Sequence, residues 1–231
     1  MEAIFIFLLL SSPAWIVFVV KYQRYSKSTY SKETKNSFLK VLRDKGLQGE
    51  YYTVQKLDKI SGYHKTLVNC YIPNGKGGMS ETDIVFIHET GIYVIESKNY
   101  SGWIFGKEED RNWCQMFPNK RKEFFYNPIK QNQTHIKVLQ SQLTSIPASY
   151  FKSLIVFSER CELKKVSFDT TSVEVFKRNK IGKVMKQVIQ KSPKVFTQEE
   201  INHTYSTLKP YSEVSEKVKQ NHVKQIKKYK S

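Results

Sequence analysis

Two apolar runs in the middle of the chain, joined by a short polar turn, constrain the fold most strongly. The runs cover residues 84–87 and 92–95, and both are rich in β-branched and aromatic side chains, which favour strands. His88, Glu89, Thr90 and Gly91 separate them, a pattern typical of an antiparallel β-hairpin. The sequence therefore predicts two adjacent strands in a buried sheet at the centre of the fold.

Charged residues stand at the open end of this hairpin. If residues 89–90 form the turn, the numbers of paired residues sum to 179, and Asp83 is opposite Glu96. Directly opposed residues have Cβ atoms about 4.5–5.5 Å apart. Lys98 lies two residues beyond Glu96 and therefore on the same strand face. A bulge at Gly91 would shift this pairing by one residue.

Two facing carboxylates among apolar neighbours repel each other unless a cation lies between them. Asp83 and Glu96 therefore predict a site for a hard divalent cation that prefers oxygen ligands, Mg²⁺ or Mn²⁺. Lys98 would then contact a phosphate or a metal-activated water. The alternative is a structural ion pair between Glu96 and Lys98 at a solvated edge.

A predicted amphipathic helix over residues 47–60 supplies a third acid. Its apolar stripe contains Leu47, Tyr51 and Val54, and Glu50 lies within that stripe. A carboxylate on a core-facing stripe costs free energy unless it meets a cation or hydrogen bonds. Glu50 is thus either a third metal-binding acid or a residue at the border of the helix beside solvent.

The formal net charge is +17, which favours polyanionic partners, either nucleic acid or the anionic inner face of a membrane. A solvated lysine-rich surface is the alternative. The three cysteines are far apart and lack the spacing of metal ligands. This excludes a disulfide scaffold and a zinc site, and it is compatible with a reducing compartment.

An uncharged apolar run at residues 3–20 is long enough to cross a bilayer as a helix. Only Glu2 carries a side-chain charge before it, whereas a cleaved signal peptide begins with positive charge. Basic residues follow the run, so the positive-inside rule predicts a single-pass protein with its remaining chain in the cytoplasm. We expect a transmembrane anchor at 1–21 and a basic juxtamembrane linker at 22–36, whose charge also favours anionic lipid.

Strand and helix patterns alternate over the rest of the chain, which predicts an α/β fold. Strands are expected around residues 103–105, 113–117, 153–158 and 172–176, and a helix begins at residues 127–128. Further on, Thr197 and Glu200 form a capping box for another helix. The basic tail at 210–231 is expected to be a partly frayed, solvated terminus.

The chain resembles the nuclease-related domain family in four ordered segments, at residues 46–50, 80–85, 94–99 and 127–131, with further similarity at 101–106 and Trp113. The resemblance covers about residues 40–160 and extends more loosely to 209. It implies a restriction-endonuclease-like core, with a mixed central β-sheet flanked by helices, at 37–160. A C-terminal strand and helices at 161–209 would complete that domain.

The resemblance also implies roles for individual residues. Glu50, Asp83 and Glu96 match metal-binding carboxylates, and the backbone carbonyl of Ser97 matches a further metal ligand. Lys98 would orient or activate the attacking water, and Gln131 would contact water, metal or phosphate from a neighbouring helix. The family often has an aliphatic residue or Cys where this chain has Ser97.

These roles imply Mg²⁺- or Mn²⁺-dependent hydrolysis of phosphodiesters by a membrane-anchored DNA endonuclease or nickase with little sequence preference. One alternative is a non-catalytic module that binds nucleic acid and tethers DNA to the membrane. Another is that the lysines mainly contact anionic lipid.

Overall fold

The structure is a computed structural model that describes residues 13–75, 77–168 and 173–230. Its α-helices are α1 (Pro13–Ser26), α2 (Thr29–Thr34), α3 (Phe38–Arg43), α4 (Lys45–Leu57), α5 (Pro128–Gln142), α6 (Ile181–Lys191), α7 (Gln198–Ser212) and α8 (Glu216–Lys230). Its strands are β1 (His64–Pro73), β2 (Met79–His88), β3 (Gly91–Lys98), β4 (Gly102–Lys107), β5 (Asn112–Met116), β6 (Lys122–Tyr126), β7 (Phe151–Phe157), β8 (Cys161–Ser167) and β9 (Val173–Lys177). The predicted α/β class is confirmed.

A mixed five-stranded sheet lies at the centre of the described chain, in the order β1-β2-β3-β7-β9. Neighbours β1, β2 and β3 are antiparallel, whereas β7 and β9 run parallel to β3. Apolar side chains of α4 and α6 pack on one face, and those of α5 and α7 pack on the other. The prediction of a mixed central sheet flanked by helices is therefore confirmed.

The β2–β3 hairpin has the predicted register. Ile84 pairs with Ile95, and His88 pairs with Gly91, so paired residue numbers sum to 179 and no bulge shifts them. Gly91 has a φ of 143°, and a Cβ at this position would lie 2.6 Å from the backbone oxygen of Tyr150. Glycine is required there because a larger residue would be strained and would collide with the backbone.

A second, four-stranded sheet has the order β6-β5-β4-β8. Its inner face carries Ile104, Trp113 and Phe125, which pack against Ile129 of α5 and Phe157 of β7. The Trp113 ring stacks on the Phe157 ring, with 6.1 Å between centroids. The strands β4 and β5 were predicted, whereas β6 and β8 were not, because short half-exposed strands have weak apolar periodicity.

The segment predicted as a juxtamembrane linker contains the end of α1 and all of α2. Tyr25 and Tyr30 from this segment are buried in the core beside α4, and the rings of Tyr25 and Phe38 lie 5.3 Å apart. Residues 22–36 thus pack on the domain instead of forming a free polar connection.

Residues 1–12, which make up most of the predicted membrane anchor, lie outside the described residues. Across residues 13–75, 77–168 and 173–230, no helix is both long enough and apolar enough to cross a bilayer. The anchor therefore stays a prediction from the sequence.

Two further elements differ from the sequence predictions. Strand β1 was not predicted, and the tail expected to be frayed forms α8. The ring of His222 in α8 meets the ring of Tyr71 in β1 edge-on, with centroids 5.6 Å apart. Because these residues are distant in sequence, no local pattern indicates their contact.

Candidate active site

The open end of the β2–β3 hairpin brings the predicted acids together. The register that pairs Ile84 with Ile95 makes Asp83 and Glu96 the next opposed positions. The backbone N–H of Ser97 donates a hydrogen bond to Asp83 Oδ2 at 2.9 Å. The Asp83 carboxylate is therefore held at the tip of β3, beside Glu96.

Glu96 lies at the centre of a buried polar network, with only 1% of its surface exposed. Lys98 Nζ donates hydrogen bonds to Glu96 Oε1 at 2.6 Å and to Gln131 Oε1 at 3.1 Å. His135 Nε2 lies 3.3 Å from Glu96 Oε2, in poor alignment for a hydrogen bond. The predicted residues Glu96, Lys98 and Gln131 are thus in direct contact.

Helix α5 positions two of these side chains because Gln131 and His135 are four residues apart and lie on one helix face. The beginning of the helix is fixed by Asn127, whose side-chain oxygen accepts a hydrogen bond from the Ile129 N–H at 2.9 Å. The side-chain amide of Asn127 donates to the backbone oxygens of Lys107, Glu108 and Asp110. Asn127 therefore connects the end of β4 and the turn after it to the start of α5, the helix that carries Gln131 and His135.

The charges of Glu96 and Lys98 stabilise each other. Burial by itself raises the pKa of the Glu96 carboxyl, but the Lys98 ammonium and His135 outweigh burial and hold that pKa below its ordinary value. Burial likewise lowers the pKa of Lys98, and the Glu96 carboxylate outweighs it, so the net pKa lies above its ordinary value. Both groups are ionised at neutral pH, and Lys98 provides a fixed positive charge.

Glu50 approaches from α4, where it is half-buried. The Tyr30 hydroxyl donates a hydrogen bond to Glu50 Oε2 at 3.1 Å. Burial raises the pKa of Glu50 to about 8, and the nearby Glu81 carboxylate adds to the rise. Burial also raises the pKa of Asp83, reinforced by the charges of Glu96 and Glu50. The ionised forms of the three predicted acids therefore repel one another, which contributes to the raised pKa of Asp83.

Strand β1 is distorted where it passes these acids. Val68 pairs with Ile84, and Cys70 pairs with Thr82, so Asn69 stands between the two pairs with a left-handed φ of 55°. Its side chain and that of Glu50 line the same surface pocket, and among the described residues its buried Oδ1 atom has no hydrogen-bond partner. Asn69 therefore presents an additional oxygen beside the acids.

A buried arginine connects α4 to the segment that follows β3. Arg178 donates hydrogen bonds to the backbone oxygen of Gly49 at 3.2 Å and to Asn99 Oδ1 at 3.1 Å. It also forms an ion pair with Glu159 at 3.3 Å. Gly49 precedes Glu50 and Asn99 follows Lys98. Arg178 therefore fixes the position of α4, with Glu50, relative to the end of β3, with Lys98.

The serine between Glu96 and Lys98 faces α4. Ser97 Oγ lies 3.4 Å from Thr53 Oγ1 of α4, and a Cβ on Gly49 would lie 3.3 Å from the same Ser97 oxygen. The close approach of α4 to β3 therefore suits a small side chain at residue 97.

The donor set has the chemistry of a hard-cation site, because oxygen ligands and excess negative charge suit Mg²⁺ or Mn²⁺. Within the described ranges, no three His, Cys, Asp or Glu side chains lie close enough together to hold a metal ion. The donors thus fit such a cation in type and charge, while their present separation is too wide to enclose one.

Tyr30, Asn69, His135 and Arg178 were not identified from the sequence as site residues. The four-residue spacing from Gln131 could have indicated His135, since both lie on one face of a predicted helix. The other three reach the site through contacts between segments that are distant in sequence, for which no local pattern exists.

Known sequences are similar to much of this chain. The model of the nuclease-related domain family matches residues 45–158. An uncharacterized protein of Bacillus anthracis is 31% identical over 199 residues, which cover 83% of this chain and 89% of that relative. No solved structure matches the chain significantly. The matched residues include each predicted site residue, whereas Arg178 and α8 lie beyond the family match.

Proposed function

The chain belongs to the nuclease-related domain family, and from this premise we propose that it is a metal-dependent nuclease that hydrolyses phosphodiester bonds of DNA. The observation that carries the proposal is the buried contact between Glu96 and Lys98, 2.6 Å long, next to Asp83 and Gln131. A buried ion pair that only stabilised the fold would not need a further acid with a raised pKa beside it.

Glu50, Asp83, Glu96 and the backbone carbonyl of Ser97 would hold the cation. When bound, a divalent cation supplies an activated water and neutralises charge on the scissile phosphate. Lys98 contributes an ammonium that is already oriented by Glu96 and Gln131, so little reorganisation is needed when charge develops on the phosphate. The Gln131 amide group orients Lys98 and can donate a hydrogen bond to phosphate or water.

A nicking assay on supercoiled plasmid with Mg²⁺ or Mn²⁺ tests the proposal. We expect Lys98→Met to lower the nicking rate by about 10²–10³-fold, the usual cost of losing one group that stabilises charge in the transition state. The control is Lys194→Met, because Lys194 also pairs with a glutamate of the same hairpin, Glu89 at 3.0 Å, but at the turn end and with its side chain exposed. Equal nicking by wild type and Lys98→Met protein would refute the enzymatic role.

The second candidate function is a module that binds nucleic acid without cleaving it. The net charge of +17 favours this reading, because lysines and arginines supply affinity for the phosphate backbone without catalysis. Salt-sensitive DNA binding without metal, together with wild-type nicking no greater than that of Lys98→Met, would support it.

Location at the membrane remains part of the proposal. It is supported by the uncharged run at residues 3–20 and by the basic residues that follow it. With that orientation, the nuclease domain would act on nucleic acid at the cytoplasmic side of the membrane.

A further inference from the structure

The second sheet has an outer face that is rich in aromatic side chains. Strand residues alternate between the two faces of a sheet, so the residues that alternate with the inward-facing Ile104, Trp113 and Phe125 point outward. These outward residues, which we call the aromatic face, are Trp103, Phe105, Cys114, Met116, Phe124 and Tyr126.

Cross-strand pairing places these side chains in continuous rows. Phe105 pairs with Cys114, which pairs with Phe124. Trp103 pairs with Met116 in the next row of the same face. Adjacent strands lie about 4.8 Å apart, so the side chains of each row are neighbours and the rows together carry aromatic rings and sulfur atoms.

The aromatic face is open to solvent at its outer edge. Phe124 is 71% exposed and Tyr126 is 47% exposed, while Trp103 and Phe105 are half-buried. Contiguous exposed aromatic side chains on a soluble surface commonly mark an interaction site.

The charges on this face favour an anionic partner. Lys122 and Lys165 lie in the same rows as Met116 and Phe105. Among the described residues, neither lysine forms an ion pair. The carboxylate of Glu162 on this face is paired with Lys164 at 2.9 Å. Lys122 and Lys165 therefore contribute the positive charge of the face that no carboxylate neutralises among the described residues.

We infer that the aromatic face binds single-stranded nucleic acid, with bases stacked on the rings of Phe124, Tyr126 and Phe105, and phosphates near Lys122 and Lys165. Flat aromatic side chains and lysines together are the combination that binds single strands. A duplex covers the faces of its bases by stacking them on one another, so its bases cannot pack on these rings. The chemistry therefore selects unpaired nucleic acid.

The aromatic face begins on β4, the strand that follows Lys98 in the chain, so the inference rests on the proposed function and names its substrate class. Strand β4 begins at Gly102, four residues after Lys98, which places their Cα atoms within about 14 Å of each other. The Gln115 amide group donates to the backbone oxygen of Ser101 at 2.8 Å and fixes this connection. The β4 edge of the aromatic face is thus its nearest part to Lys98 along the chain.

Binding of a labelled oligothymidine to the full-length protein, measured by fluorescence anisotropy in EDTA, tests the inference without catalysis. Base stacking on an aromatic ring contributes about 1–3 kcal/mol, so we expect Phe124→Ala to weaken binding by about 5–150-fold. Tyr22→Ala is the matched control, because Tyr22 is also an exposed aromatic residue, 51% exposed, on α1. We expect this control to bind like the wild type.

Lys122→Gln gives a second, independent measurement. The logarithm of the binding constant falls linearly with the logarithm of the salt concentration. Removing one phosphate contact should make this slope about 0.7 less steep for a single strand. The same titrations with a duplex and with anionic vesicles distinguish the partners. Unchanged oligothymidine binding by Phe124→Ala, or an effect of Phe124→Ala on vesicle binding alone, would overturn the inference.

The two proposals fail in different ways. If the nuclease proposal is wrong, wild type and Lys98→Met show equal nicking, while Phe124→Ala still weakens oligothymidine binding. If the inference about the aromatic face is wrong, Lys98→Met still lowers the nicking rate, while Phe124→Ala and Tyr22→Ala bind oligothymidine equally.

Discussion

Glu50→Gln is expected to stabilise the metal-free protein at alkaline pH. The substitution keeps a side chain of the same size next to Tyr30 and removes the negative charge. In the folded protein the pKa of Glu50 is about 8, compared with an ordinary value of 4.5. The folded protein therefore binds a proton at Glu50 more tightly than the unfolded chain does.

The sign of the pH dependence follows from this difference. Stability falls with rising pH wherever the folded state binds more protons, so Glu50 causes a loss of stability between about pH 4.5 and 8. The pKa difference corresponds to at most about 5 kcal/mol. Because Glu50 is only half-buried and water screens its charge, we expect about 1–2 kcal/mol.

Thermal unfolding in EDTA at pH 5 and pH 8 measures this effect. At pH 8, Glu50→Gln should melt about 2–8 °C above the wild type, since 1 kcal/mol corresponds to about 2–4 °C for a protein of this size. At pH 5 the difference should shrink to about 2 °C or less. Glu174→Gln, at an exposed position on β9, is the control and should change stability by less than about 0.5 kcal/mol.

A divalent cation should stabilise the wild type more than the Glu50→Gln protein. Ligand binding to the folded state raises stability, and we expect Mg²⁺ or Mn²⁺ to raise the melting temperature of the wild type more than that of Glu50→Gln. If the Glu50→Gln protein melts below the wild type at pH 8 in EDTA, the ionised Glu50 carboxylate stabilises the fold and the prediction is wrong.

Two further predictions concern packing around the site. Gly106→Ala should lower the free energy of unfolding by about 1–3 kcal/mol, because a Cβ would lie 2.3 Å from the Trp113 ring. A melting temperature within about 1 °C of that of the wild type would contradict this. Arg178→Lys should cost about 1–3 kcal/mol in urea unfolding, since lysine cannot replace the several contacts of the buried guanidinium, including that to Asn99. The exposed Arg160, which donates to the backbone oxygen of Asn99 at 2.8 Å, provides the control Arg160→Lys, and equal losses in the two variants would argue against a special role for Arg178.

The hairpin could be predicted in register because its determinants are local. A two-residue turn and alternation of side chains between faces determine that Asp83 and Glu96 are opposed, and the observed pairing of Ile84 with Ile95 agrees. The capping box at Thr197 was equally local, and it is present at the start of α7.

The elements that were not predicted depend on distant partners. Strand β1 pairs with β2, and α8 is held by His222, which lies 3.5 Å from Glu81. Lysine-rich and polar residues in α8 resemble a solvated tail by composition. Only packing on a surface formed by other segments stabilises such a helix, since isolated helices of this length are marginal.

The sequence alone determined the central hairpin and the identity of its acids and lysine, because short-range geometry sets which residues face each other. The sequence also suggested Glu50 through its place on an apolar stripe. Tertiary contacts produce the raised pKa of Glu50, bring Asn69 and Arg178 beside the site, and bring His135 within 3.3 Å of Glu96. Burial and charge interactions between distant segments produce these properties, and they arise only when those segments pack together.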